Sequence, residues 1–163
     1  MKYEYDLHIH TTASDGTRTP EEIIDMAVEI GLKGIAISDH DTVAGLEEAR
    51  QYLDTTSYSL DFIPAIELNT DAGEDEVHIL GYFIDPKNVT LNQRLQEIHT
   101  ARYHRAVQMV SRLQESGIKI TFEQVQALAK GELIARPHIA RVLVNSNYAA
   151  TIKEAFVEYI GRG

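Results

Sequence analysis

Cysteine is missing from all 163 residues. Disulfides and thiolate metal sites are therefore excluded, and a reducing cytoplasm is the expected compartment. Long hydrophobic runs are missing too. No stretch approaches the ~18 apolar residues that a membrane span requires, and no basic–apolar signal pattern opens the chain, so no membrane partner is expected. Basic residues are scarce: 15 Lys and Arg stand against 25 Asp and Glu, for a formal net charge of −10. A broad positive surface for duplex DNA is thereby excluded. The same acidity suits a site that collects divalent cations. An anionic substrate would then have to be held by metals and a few placed arginines. Aromatics are few and mostly Tyr, and no stacking platform for a base stands out. Tyr82 and Phe83 are expected to pack in the core. The apolar fraction of 44% is ordinary for a globular chain, and the length allows one domain with a real core.

The hydrophobic pattern predicts strands and helices in alternation, then helices alone. Residues 3–9 predict a buried strand. Thr19, Pro20, Glu21 and Glu22 open a helix: Thr caps it, Pro occupies the first turn, and the acids complement the dipole. Ile23, Ile24, Ala27, Val28 and Ile30 supply its apolar face, and Gly31 ends it. Residues 34–38 predict a second strand and 42–53 a second helix. Residues 60–68 and 76–84 predict two more strands, joined by an acidic loop over 71–75. This order points to an α/β domain that starts with parallel strands. Past Pro86 the pattern turns helical. Leu91, Leu95, Ile98, Ala106, Val110 and Leu113 mark one long helix over 90–116, stopped by Gly117. Shorter helices are predicted from Thr121 to about Gly131, over 138–145 and over 152–160.

Six candidate metal ligands fall at predicted strand ends. His8 and His10 lie two apart on one strand, so both leave the same face. Asp15 follows in a turn, His40 follows the second strand, Glu67 ends the third, and His78 lies in EVHILGY. Paired histidines joined by further His and carboxylate groups suit a borderline ion such as Zn, Mn or Fe. A single such histidine is more often a satisfied core residue. Six together at strand ends are not, because open α/β layers gather ligands at the carboxyl ends of parallel strands. Asp15 precedes Gly16 and taken alone reads as a turn residue. Asp39 and Asp41 flank His40, and each is open to two readings: helix cap, or a hydrogen-bond partner that orients the imidazole. Asp6 is open in the same way.

DLHIHTTASDGT, GLKGIAISDHDT, AIELNT and VHILGYFID, in that order and spacing, resemble the PHP (polymerase and histidinol phosphatase) superfamily. LIARPHIARVLV and AFVEYIGRG extend the likeness to PHP phosphoesterases acting on nucleoside 3′,5′-bisphosphates and on the 5′ ends of short RNA. The resemblance implies an α/β fold in which residues 1–85 are part of a distorted seven-stranded (β/α) barrel and residues 86–163 are a helical insertion. It implies that His8, His10, Asp15, His40, Glu67 and His78 hold up to three Mn, Fe or Zn ions, with Glu67 bridging two, and that a hydroxide activated by metal attacks a phosphate monoester. It also implies a longer chain, in which strands after GRG supply a further His and then an Asp and a His. A C-terminally truncated member is thus expected, and self-association to cover the incomplete barrel with it.

On the substrate side, Arg102 lies beside the apolar stripe of the long helix. Arg136 and His138 sit at a predicted helix start, a natural anion site. The resemblance points to the same region as a lid over the phosphate. His104 and Arg105 read as solvated, and nothing distinguishes His99. The leading expectation is a phosphoesterase for a small phosphorylated substrate, a nucleotide or short RNA. Its rivals are a histidinol-phosphate-type phosphatase and a non-catalytic metal-binding or interaction module. A DNA-polymerase PHP domain ranks below both.

Overall fold

The computed structural model describes residues 4–72, 75–129 and 134–161. Strand β1 (Tyr5–Ile9), helix α1 (Pro20–Ile30), β2 (Gly34–Ile37), α2 (Ala44–Thr55), β3 (Asp61–Ala72) and β4 (Asp75–Tyr82) follow one another in the first part. Then come α3 (Val89–Glu115), α4 (Phe122–Leu128), α5 (Arg136–Asn145) and α6 (Ile152–Ala155), which runs into a π-helical turn over Phe156–Ile160. The chain divides into two compact units, residues 1–96 and 97–163, with the division inside α3. No helix among the described residues is long and apolar enough to cross a membrane.

In the first unit the strands form one sheet in the order β1-β2-β3-β4. β1, β2 and β3 are mutually parallel and β3–β4 is antiparallel. The mixed α/β architecture and the parallel start match the sequence reading. The predicted caps of α1 are present: Thr19 accepts from the Glu22 amide while the Glu22 side chain accepts from Thr19 N, and Gly31 takes the left-handed conformation at φ 77°. Several predicted boundaries move, among them the start of α2 and the end of β3. α2 starts at Ala44, where the Thr42 hydroxyl accepts from the Ala44 amide. β3 and β4 pair all the way from Ala65↔Tyr82 to Ala72↔Asp75. The acidic loop expected over 71–75 is therefore mostly hairpin ladder, and residues 73 and 74 lie outside the described residues.

Sheet alternation assigns the two faces. Ile35 and Ile37 of β2 join Ile24 and Ala27 of α1 and Leu46 and Ala49 of α2 in one buried cluster. The opposite face carries Gly34 and Ala36. Gly34 is needed there, because a Cβ would stand 2.7 Å from Tyr5 Cδ1 and 2.8 Å from Asp61 Cβ. The Tyr5 ring crosses that gap, and its hydroxyl donates to Asp61 Oδ2 at 2.6 Å. Parallel register puts Ile63, Ala65 and Glu67 on this helix-free face, and the β3–β4 ladder adds His78 and Leu80.

The second unit has its own apolar cluster. Ala106, Val110 and Leu113 of α3 pack with Val125, Ile139, Leu143, Ala155 and Ile160. Gly117 ends the long helix at φ 87°, and the Ile118 amide returns to Leu113 O at 3.0 Å. The predicted end of α4 at Gly131 lies outside the described residues; α4 closes at Leu128. Tyr82 and Phe83 do not pack as expected. The Tyr82 hydroxyl donates to Leu7 O at 3.0 Å. Phe83 is 79% exposed because the chain leaves β4 through a positive φ of 56° there, which turns the ring outward.

Candidate metal centre

A β-bulge aims the HxH pair. Tyr5 pairs with Gly34 and Asp6 with Ile35, but Ile9 pairs with Ile37, so β1 holds one extra residue between these points. Strict alternation would have sent His8 and His10 with Asp6 and Ile35 toward the helices. The extra residue reverses the parity and sends both rings to the face of Glu67. Asp6 Oδ1 accepts from the His8 amide at 3.3 Å across this bulge.

Glu67 lies within β3, not at its end as expected, because the strand runs on into the hairpin. It is where β3 leaves the parallel sheet: pairing with β2 stops at Ile37↔Pro64, and a lone parallel bridge, His40↔Glu67, follows. The Glu67 side chain is 3% exposed. His78, expected at a strand end, comes instead from inside antiparallel β4 and meets Glu67 from the other side.

The side chains converge closely. His8 Nε2 and His10 Nε2 lie 2.8 and 3.0 Å from Glu67 Oε2 and 3.1 Å from each other. His78 Nδ1 lies 2.7 Å from the other oxygen, Oε1. His40 Nδ1 is 3.7 Å from Oε2, and His40 Nε2 is 3.9 Å from Asp15 Oδ2. Asp15 Oδ1 is 3.5 Å from His10 Nδ1. The four imidazoles form a row, His8–His10–His40–His78, with centroid spacings of 5.0, 4.5 and 5.1 Å. All six expected ligand residues are thus together, in three overlapping groups: His8, His10 and Glu67; His10, Asp15 and His40; His40, Glu67 and His78.

Burial raises the Glu67 pKa, but hydrogen bonds from His8 and His78 and the neighbouring His40 outweigh it, so the carboxyl is held below its ordinary value. Burial pushes the His40 imidazole below its ordinary value, against the pull of Asp15 and Glu67. The centre therefore offers an anion beside a His40 ring that burial biases toward its neutral form. Among the described residues, the buried His10 Nδ1 and His40 Nδ1 have no hydrogen-bond partner.

This arrangement fits a divalent ion better than a hydrogen-bond network. Two ring nitrogens and a carboxylate oxygen aimed at one another leave lone pairs facing lone pairs, and at most a proton or two can lie between them. In octahedral coordination with ligand bonds of about 2.0–2.2 Å, neighbouring ligand atoms stand roughly 3 Å apart. The His8–His10–Glu67 triangle, at 2.8, 3.0 and 3.1 Å, has those edges.

The loop that presents Asp15 is tightly constrained. The amides of Ser14 and Gly16 both donate to Thr11 O, at 3.1 and 2.9 Å. A Cβ on Gly16 would overlap the His10 carbonyl and stand 2.8 Å from Thr11 C. Both obstacles are backbone and cannot rotate away. Gly16→Ala is expected to displace the loop and destabilise the fold by about 1–3 kcal/mol, measured as a lowered urea midpoint. An unchanged midpoint would show that the loop yields freely.

The other expected residues belong to the second unit. Arg102 is half-buried on α3; His104 and Arg105 are exposed, as expected, and His99 is half-buried. Arg136 and Pro137 open α5. The Ala135 amide donates to His138 Nδ1 at 3.0 Å, so a neutral His138 carries its hydrogen on Nε2 and presents a donor there. Asn69 was missed in the sequence. It lies two residues past Glu67, opposite His78, and its buried Oδ1 has no hydrogen-bond partner among the described residues. Period-two alternation from Glu67 was the signal that could have found it.

Comparison with known proteins identifies the family. The chain is 38% identical over 159 residues to the 5'-3' exoribonuclease Rnm of Escherichia coli, covering 98% of this chain and 54% of that protein. It is 35% identical over 159 residues to the 3',5'-nucleoside bisphosphate phosphatase of Chromobacterium violaceum, covering 97% and 55%. A solved structure of an amidohydrolase from Chromobacterium violaceum with bound sulfate superposes with a TM-score of 0.88 at 34% identity, over 98% of this chain and 56% of that one. The chain thus spans about half the length of these relatives. The PHP domain profile matches residues 6–161, and with that match over nearly its whole length the chain belongs to the PHP domain family.

Proposed function

We propose that this chain carries much of the metal centre of a metal-dependent phosphoesterase that hydrolyses phosphate monoesters of nucleotides, either nucleoside 3′,5′-bisphosphates or the 5′ ends of short RNA. The observation that carries the reading is the buried Glu67 carboxylate, whose two oxygens face different histidines, His8 and His10 on one side and His78 on the other. Glu67 would bridge two Mn, Fe or Zn ions, with His8, His10 and His78 completing that pair. Asp15 and His40 would start a third site. Bound there, divalent ions would supply positive charge to a phosphate group and acidify water. The chain's own residues keep the ligands in place: the bulge sets His8 and His10, and the His40↔Glu67 bridge sets the carboxylate.

In the helical unit, Arg102, Arg136 and His138 are proposed as phosphate-binding residues. Arginine offers a bidentate fork to phosphate, and the His138 Nε2 donor adds a neutral hydrogen bond. A distorted seven-stranded barrel for the whole protein, with this unit inserted in it, belongs to the same proposal.

The test is a substrate panel with the Mn-loaded chain: adenosine 3′,5′-bisphosphate, a 5′-phosphorylated short RNA and histidinol phosphate. The expected result is that one of the first two is favoured over histidinol phosphate by roughly tenfold or more in kcat/KM, and that His10→Ala removes the activity. Preference for histidinol phosphate would transfer the assignment to that rival. Bound Mn without turnover of any ester would support the non-catalytic metal-binding module.

A further inference from the structure

We propose that Asp39 and Asp41, the carboxylates on either side of His40, are positioning residues that lock two different ligand-bearing segments onto the centre: Asp39 the loop of Asp15, and Asp41 the stretch of β3 that carries Glu67. The inference rests on the metal-centre reading above. Both residues are buried, Asp39 at 2% and Asp41 at 0% exposure, and neither belongs to the three convergent ligand groups. A carboxylate so deeply buried persists only when its oxygens are well bonded.

Asp39 meets that need on the Asp15 loop. Its Oδ1 accepts from the Thr11 amide at 2.7 Å and from the Ser14 hydroxyl at 2.6 Å, and its Oδ2 accepts from the Thr11 hydroxyl at 2.7 Å. Ser14 is the residue before Asp15, so this anchor fixes where the Asp15 carboxylate starts. Gly45 of α2 makes room for it: a Cβ there would stand 3.0 Å from both Asp39 Oδ2 and Thr11 Oγ1.

Asp41 acts on β3. It holds a left-handed backbone, φ 50°, a conformation that costs a non-glycine residue energy and persists where surroundings enforce it. In that conformation its amide donates to Glu67 O at 2.9 Å, and its Oδ1 accepts from the Asn69 amide at 3.1 Å. The Glu67 amide donates in turn to Asp39 O at 3.1 Å. The Glu67 backbone is thus gripped on both sides by the residues flanking His40, and the next inward-facing residue is gripped by the Asp41 side chain.

The division of labour predicts different defects. Mn(II) titration of the whole chain, with free Mn followed by electron paramagnetic resonance, reads them without any activity assay. Asp39→Asn is expected to weaken the ion at the site that Asp15 and His40 would start by about 10–100-fold, leaving tighter binding within about threefold. Asp41→Asn is expected to weaken the ions that share Glu67 by a similar factor. Ser14→Ala removes a single bond to Asp39, and is expected to give a smaller defect of the Asp39 type in a chain that folds whether or not Asp39→Asn does. Circular dichroism melting separates local from global effects. Variants that bind Mn like the parent, or that lose all ions equally in step with their melting temperature, would overturn the positioning role alone. A parent chain that binds no Mn would overturn the metal-centre reading and this inference with it.

Discussion

Glu67→Gln is expected to weaken divalent-metal binding by about 100-fold or more, the largest loss of metal affinity predicted for any single substitution here. The exchange keeps the side-chain volume. It removes the anion and replaces one acceptor oxygen with an NH2 donor. Oε2 lies 2.8 and 3.0 Å from His8 Nε2 and His10 Nε2, and Oε1 lies 2.7 Å from His78 Nδ1, so either placement of the amide turns one set of histidines away from a shared ion. Two of the three convergent groups include Glu67. The neutral amide is also easier to bury, so folding should survive. Calorimetric titration with Mn checks this. Affinity within about threefold of the parent would mean that Glu67 is not a ligand.

Asp39→Ala is expected to give the largest loss of stability, about 3–5 kcal/mol. The substitution strands the Thr11 amide, the Thr11 hydroxyl and the Ser14 hydroxyl, and Thr11 and Ser14 are themselves buried, at 0% and 7% exposure. Hydrogen bonds to a charged group are worth about 1.5–3 kcal/mol each, and a stranded buried donor adds its own desolvation cost. Three together sum to less than additively, because a relaxing loop can admit water. The loss is a large share of the 5–15 kcal/mol typical of a whole domain. Urea unfolding, with amide exchange of Ile35–Ile37 reporting on the first unit, measures it. A loss below about 1 kcal/mol would show that the Asp39 anchor is dispensable.

The convergence of His8, His10, Asp15, His40, Glu67 and His78 was legible in the sequence because spacing alone puts His8 and His10 on one side of a strand, and because strand ends in an α/β sheet meet. Which side of the sheet they occupy was not legible. That depends on the one-residue bulge in β1, and nothing in YDLHI marks a bulge. The reach of the β3–β4 hairpin was hidden for a related reason: Asp71 and Asp75 resemble loop residues locally, and the ladder wins through cross-strand pairing that local composition does not encode. Asp39 and Asp41 were left between two roles, helix cap and partner of the His40 imidazole, and their hydrogen bonds to Thr11, Ser14 and Asn69 match neither. Their partners, Thr11 and Ser14 for one and Asn69 for the other, are 25 to 28 residues away in sequence, and only the fold brings them together. Phe83 was misplaced because it was read inside a strand over 76–84, whereas β4 stops at Tyr82 and the positive φ of Phe83 turns the ring outward.

The central claim is that these residues form a metal centre, and the metal content of the purified chain tests it most directly. The chain would be loaded with Mn, dialysed, and analysed by elemental mass spectrometry against protein concentration. Two or more ions per chain is the predicted result, with His8, His10, Asp15, His40, Glu67 and His78 providing the ligands in overlapping groups. Less than one ion per chain would contradict it, and the phosphoesterase chemistry could not then be credited to the residues of this chain.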